Sequence, residues 1–120
     1  MTQATHSPQP LPAGYLTDAA PATLLERMAH TLPVLTCPVR INSNEDRAAL
    51  AAEALWLFAQ RTGLAQDGES IETVLIDFMA DIMHLCEQTS LNTPEGNVLS
   101  QLAAHAALHY EMDLSEQGKG

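Results

Sequence analysis

The segment from Ser70 to Gln88 is the feature that most constrains the fold. Plotted at about 100° per residue, its apolar residues cover about 200° of a helix circumference, and most of its polar residues share the remaining arc. The apolar residues are Ile71, Val74, Leu75, Ile76, Phe78, Met79, Ile82, Met83, Leu85 and Cys86. Ser70 can cap the free N–H groups at the start. The segment therefore predicts an amphipathic helix packed against other elements.

Two further long helices are predicted around this segment. Ser43 can cap a first helix, acidic residues in its first turn complement its dipole, and Gly63 closes it. The stretch 93–95, Thr-Pro-Glu, is typical of a helix start and predicts a third helix through about Asp113. Because the connections are only a few residues long, the three helices should be antiparallel neighbours. The fold class predicted is all-α, a small antiparallel helical bundle.

Composition agrees with helix-on-helix packing. Apolar residues make up 46% of the 120-residue chain but aromatic residues only 4%, whereas a β-sandwich needs many β-branched and aromatic side chains. A chain of this length fits one domain. We predict a flexible arm over 1–16, a short helix and an extended segment over 17–42, a helical core domain over 43–114 and a flexible tail over 115–120.

The short helix and the extended segment are predicted from the positions of the prolines. Pro21 suits the first turn of a helix, and Pro33 ends it. Residues 34–41 are rich in β-branched side chains but contain Pro38, which cannot donate to a sheet. We therefore expect this stretch to be extended, and at most an edge strand.

The first long helix carries two apolar stripes. One consists of Ala48, Ala51, Leu55, Phe58 and Ala59, with Trp56 at its edge, and the other of Leu50, Ala54 and Leu57. Two stripes predict a helix that is covered on two sides, by its own chain or by a copy of itself. In the second case Leu50 and Leu57 would form the face of a homodimer.

Charge is distributed unevenly along the chain. Fifteen acidic and five basic residues give a net charge of −10, and no basic residue lies between Arg61 and Lys119. Such a field repels phosphate backbones, so we expect no direct nucleic-acid binding. It would attract a protein partner with a basic surface. The second explanation is that the acidic residues only keep a small protein in solution.

The chain has no apolar run long enough to span a bilayer, and its N-terminus lacks the pattern of a secretory signal. We expect no membrane association and a cytoplasmic location. Cys37 and Cys86 are too few and too far apart for a disulfide framework or a zinc knuckle. Both are expected to be small core residues.

The polar arc of the segment 70–88 holds Asp77, Asp81, His84 and Gln88. One interpretation is a solvated stripe in which Asp81 and His84 pair at i,i+3, which is worth a few tenths of a kcal/mol. The other is a binding surface formed by Asp77, Asp81, His84 and Glu87. The spacing alone favours the first.

The predicted third helix places His109 in line with apolar residues, with His105 at the edge of the same face. We therefore expect His109 to be at least partly buried. A buried imidazole needs a hydrogen-bond partner, usually a carbonyl or carboxylate of a packed helix. The sequence thus predicts a structural histidine, and more specifically a contact between His109 and Asp81 that joins two helices.

A metal site is the alternative use of these side chains. His105 and His109 have the i,i+4 spacing of two ligands on one helix, with His84 or Asp81 from a neighbouring helix. However, Ala106 stands where a zincin carries its catalytic Glu, and the ligands would come from different helix faces. We therefore expect no metal, no cofactor and no catalytic residue. A metal-dependent hydrolase remains as the alternative.

Three stretches, 47–63, 74–87 and 107–111, resemble a family of small uncharacterised all-α proteins of bacterial plasmids, integrative elements and phages. The family pattern is roughly Asp-Leu-x-x-Asp-Leu-x-His-Trp-Cys followed by His-Tyr-x-x-Glu. The matching positions are Asp77, Asp81, His84, Cys86, His109 and Tyr110, and Leu85 stands where the family has Trp. The resemblance implies a shared role for Asp81, His84 and His109, structural or functional, and no established reaction.

The function expected from the sequence is that of a non-enzymatic acidic accessory protein of a mobile genetic element. It would bind another protein through its acidic surface and act against a host defence or nucleic-acid-handling complex. The alternatives are the metal-dependent hydrolase and a structural homodimer.

Overall fold

The computed structural model describes residues 20–34 and 37–119, with side chains only to Glu116 at the C-terminal end. These residues contain α1 (Thr23–Ala29), α2 (Asn44–Thr62), α3 (Ile71–Gln88) and α4 (Leu99–Lys119). They form no strand, so the all-α prediction is confirmed. The arm predicted over 1–16 lies outside the described residues.

Both ends of α2 are where the sequence predicts them. The Ser43 hydroxyl accepts a hydrogen bond from the Asp46 N–H at 3.1 Å, and the Asp46 carboxylate accepts one from the Asn42 N–H at 2.8 Å. Gly63 follows the last turn with φ at 85°. That left-handed conformation costs other residues about 1–2 kcal/mol, so a glycine is favoured here.

The bounds of α3 also agree with the prediction. The Ser70 hydroxyl accepts a hydrogen bond from the Thr73 N–H at 3.2 Å. At the other end, the Thr89 hydroxyl donates to the Leu85 carbonyl at 2.8 Å, which satisfies a carbonyl of the last turn. Local capping chemistry therefore defines this helix.

The third long helix starts later than predicted. Thr93 and Gly96 exchange two backbone hydrogen bonds, at 3.1 and 2.9 Å, and close a tight turn. Proline at the second position and glycine at the fourth suit such a turn as well as a helix start. The Asn92 side chain then accepts a hydrogen bond from the Val98 N–H at 2.9 Å, and the helix begins at Leu99.

At its other end α4 extends beyond the predicted limit of Asp113. It continues to Lys119, through most of the tail predicted over 115–120. No proline or αL glycine interrupts it before that point, so the helical hydrogen bonding continues.

The N-terminal part of the described chain is held by two backbone hydrogen bonds to the α2–α3 turn. The Ala22 N–H donates to the Glu69 carbonyl at 2.9 Å, and the Ile71 N–H donates to the Ala20 carbonyl at 2.8 Å. They fix α1 beside the start of α3. The edge strand considered for 34–41 is not formed in the described part of that stretch.

The core lies where α1, α2 and α3 meet. Its buried cluster consists of Ala22, Leu25, Ala52, Leu55, Ala59 and Val74. Phe58 and Phe78 pack beside it edge to face, with ring centroids 5.1 Å apart. Among the residues that the structure describes, α4 supplies none of this cluster.

Three predicted core positions, on α2 and before it, are exposed in the structure. Cys86 is buried as expected, but Cys37 is exposed, so that part of the cysteine prediction is wrong. On α2 the buried face contains Ala49 and Ala52, whereas the predicted Ala48 and Ala51 are exposed. Alanine fits either face, so the position of α1 decides which alanines are covered.

Leu25 is only 3% exposed and joins α1 to the core. Replacing it with Ala should lower the free energy of unfolding by about 2–5 kcal/mol, because a cavity forms and apolar contacts are lost. Leu57 on α2, 59% exposed, is the matched control. Leu57→Ala should change that free energy by no more than about 0.5 kcal/mol. Urea denaturation at one protein concentration measures both, and equal losses would contradict the placement of the core.

Ser43→Ala removes the hydroxyl that caps α2. The Asp46 N–H then loses its acceptor, and the free energy of unfolding should fall by about 1 kcal/mol. Ser100, exposed in α4, offers a control, since Ser100→Ala removes no cap. A Ser43→Ala protein as stable as the unaltered chain in the same denaturation would show that the cap contributes nothing.

Candidate interaction surface

The acidic face, defined as Asp77, Asp81, His84 and Glu87, lies on the outside of α3. Asp77 is half-buried, and the other three side chains are exposed. Among the described residues the one ion pair joins Arg47 to Asp113. The carboxylates of the acidic face therefore have no cationic partner there, and the predicted pair between Asp81 and His84 is not formed.

The prediction for His109 is wrong. His109 is exposed and makes no hydrogen bond or ion pair with Asp81. The physical reason is the placement of α4, whose residues 100–112 are all exposed. The helix face that carries His109 is consequently not packed against α3, and no burial requires the imidazole to find a carboxylate.

The hypothetical metal ligands are not assembled in the part of the chain that the structure describes. No three His, Cys, Asp or Glu side chains there form a group that could hold a metal ion. His84, His105, His109 and Asp81 are therefore not brought together as a set. The i,i+4 spacing places His105 and His109 on one side of a helix, but a metal site also needs further ligands from a second helix that lies close enough.

An open cavity of about 490 Å³ lies between the start of α2 and the end of α4. Its lining includes Arg47 and Asp113, whose Nε and Oδ2 atoms are 3.6 Å apart. The Asn44 side-chain Nδ2 also donates a hydrogen bond to the Asp113 backbone carbonyl oxygen, with 3.5 Å between the two atoms. These contacts attach the far end of α4 to α2. The sequence does not predict these contacts, because 66 positions separate Arg47 from Asp113 and no local pattern links them.

The proposed dimer residues on α2 are both exposed, Leu50 at 42% and Leu57 at 59%. Leu50 also lines a small cavity of about 140 Å³ together with residues of the 32–39 segment. Part of this stripe is thus covered by the chain itself.

Two larger sets of apolar side chains are exposed on α3 and α4. The α3 stripe consists of Leu75, Ile76, Met79 and Met83, and the α4 surface of Leu102, Leu108, Tyr110, Met112 and Leu114. Their exposed fractions range from 37% to 62%. The wide apolar arc of α3 is evident in the sequence, but the exposure of half of its side chains is not predicted from it. Its width was the available signal, since only α1 and α2 pack with α3 in the core, and an apolar arc of about 200° is wider than they cover.

No helix in the described residues has both the length and the apolar character needed to cross a bilayer. No protein-family model matches the chain, and no curated protein or solved structure matches it. The resemblance to proteins of plasmids, integrative elements and phages therefore stays a prediction.

A double-mutant cycle tests the absence of a contact between Asp81 and His109. The effects of Asp81→Ala and His109→Ala on the free energy of unfolding should add to within about 0.3–0.5 kcal/mol. The comparison cycle uses Arg47→Ala and Asp113→Ala, where the solvent-exposed ion pair should give a coupling of about 0.2–1 kcal/mol. A coupling free energy between Asp81 and His109 well above that range would show that the two side chains do interact, as the sequence predicted.

Proposed function

We propose that this protein is a non-enzymatic acidic accessory protein that works by binding another protein through the acidic face of α3. The observation that supports the proposal is a set of exposed carboxylates on α3 that make no ion pair within the described residues. Asp81 and Glu87 are exposed, and the one ion pair of the described residues joins Arg47 to Asp113 instead. The partner would present Lys and Arg side chains.

The physical basis is an uncompensated local field. The sequence has no basic residue between Arg61 and Lys119, so nothing on α3 or on most of α4 offsets the carboxylates. A patch of one sign steers a partner of the opposite sign and raises the association rate. Because α3 is a regular helix of 18 residues, its carboxylates are held in a fixed spacing.

The kind of partner follows from the same chemistry. Proteins that handle nucleic acids carry basic surfaces that contact phosphates. An acidic helix suits such a surface, whereas it repels the nucleic acid itself. With the resemblance to mobile-element proteins, this favours a host defence or nucleic-acid-handling complex as the target.

The competing explanation is that the acidic residues serve only solubility, and a charge reversal separates the two. The unaltered protein, immobilised, should retain a specific set of host proteins at low salt and release them at high salt. Asp81→Lys should reduce that retention several-fold, because it places a cation in the middle of the acidic face. The proteins retained are identified by mass spectrometry.

Glu53→Lys is the matched control, since Glu53 is exposed on α2 and the change in net charge is the same. It should leave retention nearly unchanged. If the two variants lower retention equally, the binding depends on net charge and not on the acidic face. If neither salt nor either variant changes the retention, the proposal is refuted.

A further inference from the structure

Helix α4 is joined to the rest of the described chain near its two ends. Every residue from 100 to 112 is exposed, and among the residues that the structure describes, none of the buried core cluster comes from α4. Helices α1, α2 and α3 are joined to one another through that cluster instead. The middle of α4, roughly three and a half turns long, therefore depends on the contacts at its ends for its position.

The N-terminal end of α4 follows the loop 89–98, which returns from the end of α3. In this loop the Asn97 side chain donates to the Met83 carbonyl at 3.0 Å. Two loop residues have positive φ, Ser90 at 62° and Gly96 at 137°. Hinges are formed by a few residues in loops or at the ends of elements that absorb changes in φ and ψ. The loop 89–98 has the position and the conformation of a hinge.

The C-terminal part of α4 is attached to the start of α2 by an end contact of Asn44, Arg47 and Asp113, which solvent reaches. The side chains of Arg47 and Asp113, with 3.6 Å between Nε and Oδ2, are 53% and 29% exposed. The Asn44 Nδ2 donates to the Asp113 carbonyl at 3.5 Å, a length at which a hydrogen bond is weak. Ion pairs in contact with solvent stabilise a structure little. This end of α4 can therefore be released at a small cost in free energy.

Charge makes the end contact depend on Arg47. Helix α4 has no basic residue before Lys119, so the cation at this contact is supplied by α2. The open cavity beside the contact is lined by Arg47 and by two carboxylates of α4, Asp113 and Glu116. Without Arg47 these carboxylates would face the start of α2 with no positive charge in the lining of the cavity.

We propose that α4 opens as a unit from the core formed by α1, α2 and α3, turning about the loop 89–98 and parting from α2 at the end contact. Isolated helices are marginal in water, so the released helix also loses its helical hydrogen bonds. The core stays folded, because its buried cluster contains no residue of α4. Opening takes Asp113 and Glu116 out of the cavity lining and exposes the start of α2 to solvent.

Native-state hydrogen exchange of the full chain, followed residue by residue by NMR, tests the proposal. The amides of residues 103–116 should exchange at least about a hundredfold faster than the slowest amides of α2 and α3, because opening one part costs less free energy than global unfolding. Exchange in α4 as slow as in α2 and α3 overturns the proposal. Fast exchange confined to the last turn of α4 also overturns it, since that pattern is fraying of the helix end.

Arg47→Ala separates opening of the whole helix from local fraying. It should speed exchange by about 1.5- to 5-fold at every amide of residues 103–116, because all of them depend on one opening equilibrium and the ion pair stabilises the closed state. Arg47→Lys should restore most of the original protection. Arg61→Ala is the matched control, since Arg61 is exposed on the same helix and the change in net charge is the same.

The control should leave the exchange of α4 unchanged. An effect of Arg47→Ala limited to residues 110–116, or an equal effect of Arg61→Ala, overturns the proposal. The opening does not involve the acidic face of α3. Asp81→Lys should therefore leave the exchange of α4 unchanged, whether or not it lowers the retention of host proteins, so the two proposals fail separately.

Discussion

The packing of α1 against α2 and α3 is the interaction on which the rest of the structure depends. Leu25 and Ala22 close the core from one side, and Val74 of α3 is fully buried in it. Two backbone hydrogen bonds to the α2–α3 turn fix where α1 lies. Because α1 is only seven residues long, it covers one side of α2 and the start of α3 and no more.

This limited cover explains the open character of the remaining surface. The core ends before the middle of α4, so the apolar residues of that helix and the outer part of the α3 arc are left without cover by the described chain. Exposed apolar side chains in such numbers are uncommon on a monomer and usually mark a contact with another molecule. The open surface is thus a consequence of the size of the core.

Helix α3 combines two kinds of surface, which meet at Glu87. Asp81 lies about 160° around the helix from Met79 and Met83, whereas Glu87 follows Met83 by four residues and borders the α3 stripe. Electrostatic attraction acts over about a Debye length and weakens with salt, whereas apolar packing acts at contact and does not.

The sequence by itself determined the features that depend on near neighbours. The caps Ser43 and Ser70, the αL glycine Gly63 and the periodicity of α3 are local, and the structure has α2 and α3 at those positions. The structure of the stretch 93–96 is harder to predict, since Thr-Pro-Glu-Gly suits both a helix start and a tight turn. Only the packing and hydrogen bonding around it select the turn.

Only the tertiary structure decided which faces are covered. The exposure of His109, the rotated buried face of α2 and the contact between Arg47 and Asp113 all depend on where a distant helix lies. Periodicity tells which side chains share a face, but not whether another helix reaches it. The physical reason is that burial is a property of a pair of surfaces, and the sequence of one helix describes only one of them.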